Sequence, residues 1–248
     1  SSKINNDAKS IALACGSHSG SKLHAREAFK ILWEYDVDIT NLKCPKVNSS
    51  PLEHNCSGKH AAFLATCKKM NWPLDNYLKG DHPLQVEIFR IISELLEIPE
   101  SEINAERDDC GAPTLYLKLS QISKLYSLLS SSENAELEQI SRAITTNPIM
   151  ISDNNKFDTE IIKASHGQVI GKGGAEGIQC LCKVNEGIGL ALKVEDGSKR
   201  AKHAVSLHLL KQLEWISDLR VQDIEEKIFN FSQGVRIEVK GQLKFQES

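Results

Sequence analysis

The stretch Asn55-Cys56-Ser57-Gly58-Lys59-His60 places a thiol, a hydroxyl, an amine and an imidazole within six residues. Ala61-Ala62-Phe63-Leu64-Ala65-Thr66-Cys67 follows it and reads as a buried helix, with Ser57 as the N-cap. Cys56 then lies at or just before a helix N-terminus. Free N–H groups and positive partial charge at that point favour a thiolate over a thiol. A cysteine so placed is a candidate nucleophile or metal ligand. The plainer reading of the same stretch is a capped helix carrying a small packed thiol.

A second thiol stands in a comparable setting, Asp108-Asp109-Cys110-Gly111-Ala112-Pro113. Cys56 and Cys110 are the two cysteines in glycine-flanked polar loops. Two thiolates with one nitrogen donor, Lys59 or His60, make a three-ligand site with an open position, as catalytic zinc sites have. Histidine is the usual nitrogen donor, and a lysine serves only when deprotonated, which a neighbouring cation favours. Two further loops carry a hydroxyl and an amine: Cys15-Gly16-Ser17-His18-Ser19-Gly20-Ser21, and Gly171 to Gly177 with Lys172 inside it. A lysine beside a serine can act as general base, so Ser17 and Lys172 form a candidate pair. The glycine run lacks the spacing of a phosphate loop; its plain reading is a tight connection between strands. Ser19-Gly20-Ser21-Lys22 matches SxxK, but Lys22 leads into a helix as a solvated residue.

The elements that must position these loops follow from periodicity. Helices are expected at His24–Tyr35, His60–Met70, Pro83–Leu96, Leu117–Leu129, Asn134–Thr146 and Ser198–Leu213, with a short one after Phe157-Asp158-Thr159. Ile178–Val184 and Leu190–Val194 read as a hairpin, and Arg236–Val239 with Leu243–Phe245 as a terminal one. Helices dominate the middle and antiparallel strands the C-terminal part, which argues for α+β rather than alternating βαβ units. The 248 residues, 40% hydrophobic and 25% charged, fit one globular domain. A net charge of -3 gives no electrostatic case for nucleic acid or an anionic membrane, and no apolar run reaches a membrane span. Seven cysteines without a CxxC pair or a secretory leader point to reduced thiols and a cytoplasmic protein.

Seven motifs in order resemble the rhizobial-type L-asparaginases, the asparaginase II family. They are Cys15-Gly16-Ser17-His18-Ser19-Gly20, Asn55 to His60, His82-Pro83-Leu84-Gln85, Asp109 to Pro113, Phe157-Asp158-Thr159, Lys172 to Gly177, and Leu192 to Gly197 with Arg200-Ala201. The resemblance implies a fold similar to serine β-lactamases and penicillin-binding proteins, a helical cluster packed on an antiparallel sheet, usually in a homodimer. It implies hydrolysis of L-asparagine to aspartate and ammonia by serine–lysine pairs beside zinc. Cys56, Lys59 and Cys110 fall on the family's zinc ligands, Ser17 and Lys172 on one serine–lysine pair, and His60 and Asp108 near the substrate. Two departures stand out. The family's other pair, an SxxK tandem, falls before the first residue here, so an N-terminal segment is expected to be missing and these 248 residues to turn over asparagine weakly or not at all. Asp109 stands where the family usually carries glycine. The rival readings are a catalytically silent module that binds zinc or an amino acid, and a β-lactamase-like acyl hydrolase with another substrate.

Overall fold

The computed structural model describes residues 7–229 and 237–244. The described residues begin with α1 (Ala8–Ala14), α2 (Lys22–Glu34), α3 (Ser57–Met70) and α4 (Pro83–Leu96). A two-stranded hairpin follows, β1 (Asn104–Arg107) and β2 (Pro113–Tyr116). Then come α5 (Leu119–Ser130), α6 (Ala135–Thr146), the single turn α7 (Pro148–Ile151) and α8 (Phe157–Ala164). Strands β3 (Val169–Gly173), β4 (Ile178–Lys183) and β5 (Ile188–Lys193) form one antiparallel sheet in sequence order. Helices α9 (Lys199–Gln212) and α10 (Asp218–Ile228) complete the described fold. This is α+β, as the sequence implies.

Local chemistry sets these boundaries. α4 starts where Pro83 occupies its first turn and His82 Nδ1 accepts from the Leu84 N–H at 3.1 Å, and it ends on Glu97 in the left-handed region. α6 is capped by Asn134, whose side chain accepts from the Leu137 N–H at 2.9 Å. α9 is capped in the same way by Ser198, from Ala201 N at 3.2 Å. At α3 the cap differs from the expected one. Cys56 is the N-cap residue, and Ser57 is the first helical residue, fully buried and donating to Leu52 O at 2.8 Å.

The sheet lies between two groups of helices. Successive strand residues point to opposite faces. Ile170 and Cys182, register partners, join the core built by α1, α2, α3 and α6. Val169 and Leu181 join a second core with Ile161 of α8 and Leu207 and Leu210 of α9. β4 is therefore buried on both faces, and Cys180 and Cys182 pack as the alternation implies. Residues 237–244 carry no strand; Arg236 and Phe245, at the ends of the expected terminal hairpin, lie outside the described residues.

Candidate active site

Four segments converge on one cavity of about 920 Å³. The start of α3 brings Cys56 and Lys59, the β1–β2 turn brings Asp108 and Cys110, the segment after α1 brings Ser17, and β3 brings Lys172. Gly58 lets α3 approach this closely: a Cβ there would meet the Leu13 carbonyl oxygen and side chain of α1, each at 2.6 Å. The Ser17 segment is fixed through its backbone. Ser17 N donates to Ile151 O and Ser19 N to Ser152 O, both at 2.9 Å, and His18 N to Asn55 O at 3.2 Å. The β1–β2 turn closes with Asp108 N to Ala112 O at 2.9 Å, with Gly111 at a positive φ of 83°.

Two sulfurs and a carboxylate form a tight group. Ligand atoms of Cys56, Asp108 and Cys110 all lie within 4.8 Å of one another. Lys59 Nζ stands 3.9 Å from Asp108 Oδ2, facing the same group. The two thiols are coupled: their contact and burial hold Cys56 well above its ordinary value, and the same contact holds Cys110 below its own, against burial. Cys110 Sγ also donates to Asp108 Oδ2 at 3.7 Å. Two sulfurs beside a carboxylate are a donor set that suits a soft divalent cation.

His60 lies behind this group rather than on the cavity wall. It is fully buried, and its Nδ1 is 2.6 Å from Tyr77 OH, which itself accepts from Lys43 N at 3.0 Å. The other ring nitrogen, His60 Nε2, is buried without a hydrogen-bond partner.

Ser17 and Lys172 share the cavity but are not bonded to each other. Ser17 Oγ accepts from Asn55 Nδ2 at 3.1 Å, and the same amide nitrogen lies 3.5 Å from Cys56 Sγ, so Asn55 links the serine to the thiols. Lys172 Nζ donates to Gly173 O at 2.6 Å. Behind it are Cys15 and Cys180, each with burial pushing its thiol up to about 11. Ser19 bonds to Asp153 and Lys22 is exposed, so their SxxK pattern forms no pair.

The cavity wall also holds groups that spacing alone does not reveal. Asp158, Gln179, Lys202 and His203 line the same cavity. Asp158 is buried at the start of α8 and accepts from Gly173 N and Gln179 Nε2, each at 2.8 Å. Lys202 is 4% exposed, and burial holds its amine below the usual lysine range against the pull of Asp158. His203 stacks on Phe157 at 4.0 Å, and burial lowers it to about 4. A signal for Lys202 exists: it continues, at a spacing of four, the buried stripe of Ser206 and Leu210, where a charge is out of place. Asp158 belongs to the Phe157-Asp158-Thr159 motif, but nothing in its spacing gives it a role.

The geometry therefore joins a serine, a lysine and a two-thiol cluster in one polar cavity. No curated protein gives a significant match to the chain. The family model for L-asparaginase II matches residues 1–245, nearly the whole sequence, and the chain belongs to that family.

Proposed function

We propose that this cavity is the active site of an amidohydrolase that converts L-asparagine to L-aspartate and ammonia. The observation that carries the reading is the meeting of Ser17, Lys172, Cys56 and Cys110 in one cavity of a chain of this family. The helical cluster against an antiparallel sheet is compatible with a serine-β-lactamase-like or penicillin-binding-protein-like fold, which we propose for the whole.

In the proposed reaction Ser17 Oγ attacks the side-chain amide carbon of the substrate. Its proton passes to the Lys172 amine and then to the leaving ammonia. Water cleaves the acyl ester and regenerates the hydroxyl. Asn55 already donates to Ser17 Oγ, which leaves the hydroxyl proton free to turn towards a base. Lys172 must leave the Gly173 carbonyl or act through one water, an adjustment ordinary for a site without substrate. Cys56, Lys59 and Cys110 would hold zinc, and the two sulfurs with the Asp108 carboxylate beside them fit a soft divalent ion. Zinc, when bound, orients the substrate or polarises its carbonyl. Asp108, which lines the cavity 3.9 Å from Lys59 Nζ, would meet the substrate's ammonium group. His60, the other substrate-side residue of the family, would act here from behind Cys110.

We further infer a cytoplasmic homodimer. Seven free cysteines suit a reducing compartment, and none of the helices in the described residues is long and apolar enough to cross a membrane. Ammonia release from L-asparagine beside L-glutamine and a β-lactam, with metal analysis of the same preparation, tests the reading. Turnover of the β-lactam alone, or of L-glutamine in preference to L-asparagine, overturns it.

A further inference from the structure

The end of β3 is gripped from the side of the sheet opposite to Lys172. Lys172 pairs in register with Cys180, and Gly173 with Gln179, so alternation turns Lys172 to the helical cluster and the Gly173 face to α8 and α9. On that second face Lys202 Nζ donates to two carbonyls of the turn, Gly174 O and Ile178 O, each at 2.9 Å. Asp158 holds the other polar groups, the Gly173 N–H and the Gln179 amide. The next peptide oxygen, Gly173 O, accepts from Lys172 itself. One short turn thus ties together an acid from α8, a base from α9 and the lysine placed at the reaction.

The packing leaves no slack. A Cβ on Gly173 would stand 2.9 Å from Lys202 Nζ, 3.1 Å from Gln179 Oε1 and 3.4 Å from Asp158 Oδ2. A methyl group here would press first on the ammonium, which must shift or give up its bonds to the turn; backbone conformation does not call for glycine, since Gly173 is not among the positive-φ glycines. Packing alone would be met by methionine or leucine on the buried stripe of α9. A buried ammonium is costly unless its hydrogen bonds and a counter-charge repay it, and here they serve the turn.

We propose that Lys202, with Asp158, is a positioning residue that clamps the Gly173–Ile178 turn and so fixes where Lys172 enters the cavity. The proposal rests on the reading of Lys172 as the reaction's base. It treats Lys202 as acting through the turn and not on the substrate.

The test is a cycle of Lys202→Met, Gly173→Ala and the double variant, read by thermal melting and by ammonia release from asparagine. Methionine keeps most of the volume and removes the atom that a Cβ at Gly173 would meet. Each single variant is expected to lower Tm, and kcat at least tenfold, with KM within about threefold of wild type. In the double variant the second change is expected to add little, because the ammonium it would strike is gone. Additive Tm losses, or an unchanged kcat in Lys202→Met, overturn the clamp. A raised KM at constant kcat also overturns it, by making Lys202 a substrate contact. Asp158→Asn keeps the shape but cannot accept from both donors; it is expected to lower kcat in the same way, and an unchanged kcat counts against the clamp even if Lys202→Met does not fold. Should wild type release no ammonia, the proposed reaction fails, while coupling in Tm still decides whether the clamp exists.

Discussion

Acidification should weaken the fold through His18, the residue next to the candidate nucleophile. His18 is 2% exposed and stacks on His24 at 4.6 Å. Its Nδ1 accepts from Gly20 N at 3.1 Å, so Nε2 carries the proton and faces Ser57 Oγ at 3.4 Å. Burial, with the neighbouring His24 and His54 rings, lowers it from the ordinary 6.5 to about 3, against a weak pull from Asp153. The folded value lies below the unfolded one, so the unfolded chain takes up the proton first as pH falls. The stabilisation is therefore intact above about pH 6.5 and is lost progressively towards pH 3. With these two values the loss between pH 7 and pH 5 is about 2 kcal/mol, and it approaches about 5 kcal/mol below pH 3. Urea unfolding of wild type and His18→Gln at pH 7 and pH 5 measures it. Glutamine can accept from Gly20 N without titrating, so the variant should start less stable but lose about 2 kcal/mol less than wild type over this interval. Equal losses in the two proteins, or an NMR titration of His18 near 6.5, would refute the reasoning.

The site and the fold yield further expectations. Cys56→Ala and Cys110→Ala should each abolish zinc binding measured by atomic absorption, since each removes one of two sulfurs; unchanged zinc would remove the metal reading. Ser17→Ala should lower ammonia release by several orders of magnitude while leaving Tm within a few degrees, because the side chain has one hydrogen bond, from an exposed asparagine. Gly58→Ala should destabilise by about 1–3 kcal/mol in urea, because its Cβ would strike a backbone carbonyl of α1 that cannot rotate aside. A neutral effect would mean that α1 and α3 separate easily.

What was legible in the sequence depended on how local its cause is. Pro83–Leu96 is a helix with the expected ends because the proline, its capping histidine and the apolar period all act within the segment. The β1–β2 hairpin is different. Its strands are four residues each, with Asn104, Glu106 and Arg107 exposed, so no alternation marks them, although the turn from Asp108 to Pro113 is plain. β3 is hidden by Gly171 and Gly173, which read as loop; Gly171 is small because Ile161 of α8 fills the space a Cβ would take, 3.2 Å away. The approach of Cys56 to Cys110 was legible because both thiols sit in glycine-flanked polar loops that a core would not need. Lys202 showed only as a charge out of place on the buried stripe of α9; its role did not, because its partners are backbone carbonyls 24 and 28 residues away, and backbone leaves no mark in a sequence. The same applies to the place of His60 behind Cys110, which is decided by Tyr77 in a separate loop.

The central claim is that Ser17 reacts with the side-chain amide of asparagine in this cavity. Its most direct test is the rate of ammonia release from L-asparagine by the zinc-loaded protein, wild type against Ser17→Ala. The account predicts release by wild type, slow if these 248 residues act alone, and none above background in the variant. Release left unchanged by the substitution would contradict it.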